Sequence, residues 1–493
     1  MLRFVNTKGG KPTSCDPLNA DSSENFHVAL MMYLTPIEIS VSDELRSTLL
    51  SHFNYNFESR TMTWKARVGL TYSDGTEITP KDIAFSVSRM AFTRPMFPIL
   101  RDITGLKEWL RSENPLATFP AGIKVLNQEI LITFERPVGN PLSRFVLPIF
   151  SVIPERCVGS NSNKLSVEIP PSSGYFQLKK QEQDGHSWIF ERRGEYEILE
   201  NKKLPDIVAL EYWSSEKVMK NMPMSDENTV IRTHENAYSP KELKKMRECT
   251  EQGTRKGSSF GCFNINPHVE PFQDENCRKV FANLYRLEYE RLYQSIIPLE
   301  SSLFTKNISG YVKQSQFQKH EVNNYAECVD LIRKNPPLHA VLKGHSDSTL
   351  FNSTMLKVYE RLGLSDIKPV EVTDRKEIAE LFLNGKTTLF VSSSQFWELD
   401  VVGEIKMFFT PNMHPPLKFV TENLRLQELV SKLDVEGNIY DNQTTLEELN
   451  RLVFDQALLN VYSHFQMLLL SKKGHPLEAE KHSATITKPW DVF

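Results

Sequence analysis

Apolar Trp64, Ala66, Val68 and Leu70 alternate with Lys65, Arg67 and Gly69. A period of two places one apolar face on a half-buried strand, so a strand is expected over 64–70. Ser73-Asp74-Gly75 then supplies a turn in which Gly75 is free to take a positive φ. Thr79 is suited to cap a helix, Pro80 to open it, and Asp82 stands where a capping-box acid belongs. Ile83, Val87 and Met90 continue at helical spacing, which predicts a helix to at least Met90. Residues 25–34 read as another helix. Gly122-Ile123-Lys124-Val125 and Ile130-Leu131-Ile132-Thr133-Phe134 are strand-like, and Leu389-Phe390-Val391 reads as a buried strand. Residues 241–259, rich in Lys, Arg, Glu, Thr and Gly, read as a surface helix followed by a loop.

A chain of 493 residues exceeds one ordinary core, so two or three domains are expected. With 40% hydrophobic and 24% charged residues the composition is that of a soluble globular protein. The apolar runs 28–34 and 467–470 are too short to span a bilayer. A formal net charge of -4 gives no electrostatic case for nucleic acid or an anionic membrane. Of the six cysteines, none forms a CxxC pair, which argues against a zinc or thioredoxin-type site. An even count suits an oxidising compartment. Cys249 with Cys262, and Cys277 with Cys328, could each close a loop, and independent buried thiols are an equal alternative.

Catalytic signatures are missing: the chain has no G-x-S-x-G, H-E-x-x-H, G-x-G-x-x-G or Walker A motif. Gly253-Thr254-Arg255-Lys256-Gly257-Ser258 has the wrong spacing for a phosphate loop, and His414 and His464 have no partner nearby in sequence. No catalytic residue, metal ligand or cofactor is expected. The best binding candidate follows the strand at Leu389, where a polar run leads into Trp397-Glu398-Leu399-Asp400.

Several stretches recur in an order that resembles one family. Trp64 and its basic strand precede S-D-G-T and then T-P-x-D. Cys15-Asp16-Pro17-Leu18 is similar to an L-D-P segment, and Arg136-Pro137 closes a strand. Leu147-Pro148-Ile149-Phe150 with Val152-Ile153-Pro154, and then Ser173-Gly174-Tyr175-Phe176, follow in order. Gly261-Cys262-Phe263-Asn264-Ile265-Asn266, Pro271-Phe272 and Asp274-Glu275-Asn276-Cys277-Arg278 resemble an "x-F-N, P-F-x-D-x-x-V-R-x-A" passage, with Cys277 in place of the usual Val. Together these resemble the family 5 extracellular solute-binding proteins, the oligopeptide- and dipeptide-binding components of bacterial ABC importers.

The resemblance implies an α/β, two-lobed periplasmic-binding-protein fold of type II, with an extra domain in the first lobe and a hinge between the lobes. Mapped by motif, 1–34, 165–258 and 465–493 form domain I. Residues 35–164 form the extra domain II, and 259–464 form domain III of the second lobe. The crossings fall near 260–264 and 462–465. The implied function is to bind a peptide in the interlobe cleft and deliver it to a membrane ABC permease, as a monomer, without catalysing a reaction. In peptide-binding members a W-x-x-D at this place faces the cleft and its Asp holds the peptide's α-amino group. Trp397 and Asp400 match that pattern, with Glu398 serving if the register differs by two. Phe263 and Asn264, near the first crossing, are hinge-or-cleft candidates. The sequence departs from the family after Asp400, where Val401-Val402-Gly403-Glu404-Ile405-Lys406 replaces a polar run. The departure keeps other ligands open: a nickel or other metal chelate, haem, an opine or an oligosaccharide. A ligand-sensing receptor or regulator is a further alternative. MLRFVNTKGG carries no apolar signal core, so the protein is either cytoplasmic or begins here at its mature domain; the resemblance implies the second, a periplasmic or envelope-anchored protein.

Overall fold

In a computed structural model of the chain, an eight-stranded mixed sheet is joined to a four-stranded antiparallel sheet, with helices on their faces. The structure describes the chain except for residues 8–10, 21–22, 41–43, 98, 160–162, 184, 195–203, 295–296, 306–307, 309, 318, 343–348, 373–374, 396–400, 411–413, 434–441, 476 and 478–493. Among the described residues no helix is long and apolar enough to cross a membrane.

The stretch 64–90 builds much of what its pattern predicts. Strand Thr61–Ala66 buries Met62, Trp64 and Ala66 and pairs antiparallel with Leu50–Asn56 and Glu129–Thr133. The strand ends at Ala66 and not at Leu70. Gly69 turns with φ +83, and Val68 is left 71% exposed. The tight turn forms as expected: Gly75 takes φ +81 and the Tyr72 N–H donates to the Thr76 carbonyl at 2.7 Å. Helix Pro80–Thr93 opens on a complete capping box between Thr79 and Asp82. The strand-like runs become Ile123–Leu126 and Glu129–Thr133, hydrogen-bonded to each other. The helix expected at 25–34 is Ser23–Met32.

Residues 250–258 are not a loop. They begin a strand of 16 residues, Thr250–Ile265, which follows helix Pro240–Cys249 directly. Polar residues stand here in strand conformation because backbone pairing fixes it: positions 250–255 pair antiparallel with 467–472. That partner is a second long strand, Leu459–Lys472. The two run side by side through a register break, with Arg255 opposite Met467 and then Ser259 opposite Phe465. The first strand thus spans the break with three residues, 256–258, against one, 466, on its partner, an excess of two that bends and twists a ladder locally.

On one side of the break the second long strand pairs with Thr229–His234. The sheet continues from there through Leu2–Asn6, Ile207–Tyr212, Ser187–Arg192 and Phe176–Gln181. On the other side the first long strand pairs with Leu389–Gln395. The strands beyond the break are covered on both faces. Phe260 and Cys262 enter a core with Leu303, Phe304, Ile405 and Leu446. Phe263 and Ile265 enter another with Phe281, Tyr285, Phe351 and Tyr462. A third core takes in Phe4, Trp64, Phe85, Phe145 and Leu210.

All six cysteines carry free thiols. The Cys249–Cys262 pairing is excluded, because the two stand near opposite ends of the first long strand, roughly 40 Å apart at about 3.3 Å per residue. Cys277 and Cys328 are brought together.

Candidate functional site

Strand Leu389–Gln395 is the element that delivers the chain to the candidate binding residues. Leu389 is fully buried, and the strand pairs antiparallel with the first long strand from Ile265 back to Ser259. Its last residue, Gln395, stands opposite Ser259, immediately beside the register break. Trp397, Glu398 and Asp400 lie outside the described residues. The chain resumes as helix Val401–Phe408. That helix accounts for the apolar residues after Asp400, since Val402, Ile405 and Phe408 at helical spacing enter one core. The opposite side of the helix carries Glu404, whose Oε1 lies 3.4 Å from Nη1 of Arg144. Their side chains are 14% and 3% exposed, so the pair is largely withdrawn from water. Met407, one turn on, packs against the core that contains Trp64 and Phe145. The helix after the candidate segment therefore joins two cores. Nothing in the sequence around Arg144 signals this contact, because the two partners are 260 positions apart.

Phe263 and Asn264 have opposite surroundings, as neighbours on a strand must. Phe263 sits in an aromatic cluster, with its ring centroid 4.8 Å from Tyr285 and 5.6 Å from Phe351. Asn264 is 2% exposed, and among the described residues neither its Oδ1 nor its Nδ2 has a hydrogen-bond partner. A buried amide left unpaired costs about 1–3 kcal/mol, so this residue weakens the free fold. On the same face two residues back, Cys262 Sγ and Ser392 Oγ lie 3.2 Å apart. Burial pushes the Cys262 thiol up to about 12, which keeps it protonated and unreactive at neutral pH.

The buried histidines are equally quiet. Burial lowers His339 to about 4, so its ring is neutral at pH 7, with Nε2 2.9 Å from Asn352 Oδ1. His320 is lowered to about 4, first by burial and then by Arg286. His464 Nε2 lies 2.8 Å from the Ser302 carbonyl oxygen, which needs a donor and so assigns the proton to that nitrogen.

The Asp16-containing segment meets the 64–90 region at a buried ion pair. Arg89 lies on helix Pro80–Thr93 and makes two bonds to Asp16, Nη1 to Oδ1 at 2.8 Å and Nη2 to Oδ2 at 2.7 Å. Its Nε donates to Asn163 Oδ1 at 2.9 Å. Two sequence signatures are thus tied to each other, and both build framework. A cavity of about 630 Å³ opens beside them, lined by Cys15, Asp16, Arg94, Asn163 and Glu168 among others.

Residues 47–319 match the bacterial extracellular solute-binding proteins, family 5, middle region. Among solved structures, the murein tripeptide binding protein of Escherichia coli matches with a TM-score of 0.79 at 13% identity, covering 100% of this chain and 98% of that one. A periplasmic oligopeptide-binding protein of Borrelia burgdorferi matches at 0.77 and 17% identity, with 100% of both chains covered. The binding protein AgaA from A. tumefaciens R10, in complex with agropinic acid, matches at 0.71 and 15% identity, covering 96% and 93%. At these identities the structural likeness is one of fold. The family match takes in more than half of the chain, and the chain belongs to the bacterial extracellular solute-binding proteins of family 5.

Proposed function

We propose that this protein binds a peptide between two lobes outside the cytoplasm and hands it to the permease of an ABC importer, without chemical change. The observation that carries the reading is the position of Trp397-Glu398-Leu399-Asp400. The segment directly follows the strand that pairs with the first long strand at its register break. On the proposed division, the strand that leads into this segment pairs with one of the two strands that connect the lobes. The proposed lobes are domain I (1–34, 165–258, 465–493) with domain II (35–164), and domain III (259–464). Bending at 256–258 and its partner strand would close them, as hinges at a few backbone positions do.

The chemistry suits a peptide. Its α-amino group has a pKa of about 8 and is mostly cationic at neutral pH. A carboxylate at Asp400 can accept a charge-assisted hydrogen bond from it, worth about 1.5–3 kcal/mol. Strand edges in the cleft can pair with an extended backbone, which gives affinity without reading side chains.

The known complex of AgaA with agropinic acid supports a second reading, an opine or other non-peptide ligand. A thermal-shift panel separates the two, because a ligand that binds only the folded state raises apparent stability by mass action. Short peptides are expected to raise the unfolding midpoint. A shift with opines or metal chelates and none with peptides overturns the peptide reading.

A further inference from the structure

Helices Glu275–Tyr293 and Tyr325–Lys334 pack against each other and bury two thiols at their contact. Cys277 and Cys328 are each fully buried in one core cluster. Their sulfur atoms lie within 4.8 Å of each other. We infer that Cys277 and Cys328 form a disulfide when the chain folds in an oxidising compartment, stapling the two helices.

Geometry favours the bond. Side-chain rotation about Cα–Cβ moves a sulfur by ångströms, so thiols this close can approach a bonding separation of about 2.05 Å. The loop it closes spans about fifty residues, long enough for a crosslink to restrict the unfolded chain strongly. Timing follows from burial. Both thiols are pushed above the ordinary range, Cys277 chiefly by burial and Cys328 likewise, so neither supplies a thiolate once packed. Oxidation therefore belongs to folding, while the thiols still meet solvent.

The step balances by thiol–disulfide exchange with a disulfide-bearing oxidant such as oxidised glutathione. One cysteine loses its proton and attacks an oxidant sulfur, displacing one thiolate, which takes up a proton. The second cysteine attacks the mixed disulfide and displaces the other. Two protein S–H bonds and one oxidant S–S bond become one protein S–S bond and two oxidant S–H bonds.

Asp274 lies in the same cluster, its ligand atom also within 4.8 Å of both sulfurs. Its Oδ1 already accepts the Asn276 N–H at 2.8 Å as the helix cap, and the cluster offers three donors where a structural zinc takes four. The structure thus favours a covalent bond over a metal.

The test uses the whole chain, fully reduced, unfolded, and refolded in a glutathione redox buffer. Alkylation under denaturing conditions is expected to label four of the six cysteines before reduction and all six after it. Peptide mapping should find a linked pair holding Cys277 and Cys328. In C277V all five remaining cysteines should be labelled without reduction. A reductant should lower the unfolding midpoint of the parent chain and leave that of C277V unchanged. Six labelled thiols in the refolded parent overturn the inference, as does a different linked pair or one equivalent of chelatable zinc. Occurrence of the bond in the cell rests on extracytoplasmic placement. The refolding assay does not, so its failure and the failure of the solute-binding reading are separable.

Discussion

Arg89 is the clearest case of a residue whose purpose emerges only in three dimensions. Its guanidinium grips both oxygens of Asp16 and is 2% exposed. Removing one partner of such a buried pair strands the other charge, at a cost of about 3–5 kcal/mol. Asp16→Asn is accordingly expected to lower the thermal unfolding midpoint while leaving ligand affinity in the folded protein unchanged, as differential scanning fluorimetry and calorimetry can check. Asn264 predicts the opposite split. Neither of its amide atoms has a partner among the described residues, so Asn264→Leu removes an unpaired polar group at nearly constant volume. Stability should stay level or rise by up to about 1–3 kcal/mol. If the amide serves the ligand, affinity should fall at the same time. A gain in stability with unchanged affinity assigns Asn264 to the core alone. The polar character of Asn264 is visible in the sequence, but the absence of partners is a property of the packed sheet.

At the scale of elements, local chemistry was the most readable. The Thr79–Asp82 capping box and the Gly75 turn are decided by residues within four positions of each other, and both form as their spelling predicts. Ser239–Glu242 is a second box of the same kind. Long-range pairing was the least readable. Residues 250–258 resemble a loop in composition, and only the partner strand at 467–472 makes them a strand. Val68 fits an alternating pattern, yet Gly69 turns the chain before the alternation is used. Helix Val401–Phe408 shows both sides of this. Its apolar spacing is local, whereas the Arg144–Glu404 pair depends on two segments far apart. On the proposed division, that pair links domain II to domain III and favours the closed arrangement. Glu404→Gln is expected to weaken ligand affinity about tenfold, or ~1.4 kcal/mol, by shifting the lobes toward open. Calorimetry alongside small-angle scattering of the unliganded variant reads both effects. Unchanged affinity and unchanged dimensions would remove the pair from closure.

Across the whole molecule, the ordered motifs spread from Asp16 to Arg278 identify the fold more firmly than they identify the ligand. They tie framework together: Asp16 to Arg89, Trp64 into a core, and Arg278 Nη1 to the Phe272 carbonyl oxygen at 2.7 Å. Framework depends on many mutually consistent contacts, and the fold is shared with proteins only 12–17% identical to this chain. A ligand site depends on a few side chains, and the ones proposed here, Trp397 and Asp400, form a short pattern with an unusual continuation. The proposed role of Asp400 is to hold the charged amino terminus of a peptide. Isothermal titration of a tripeptide and its N-acetylated form tests it most directly, with Asp400→Asn measured beside the parent chain. Acetylation is expected to cost the parent chain at least about tenfold in Kd, or ~1.4 kcal/mol, and to cost Asp400→Asn much less. Equal affinity of the parent chain for the free and acetylated peptides would contradict it.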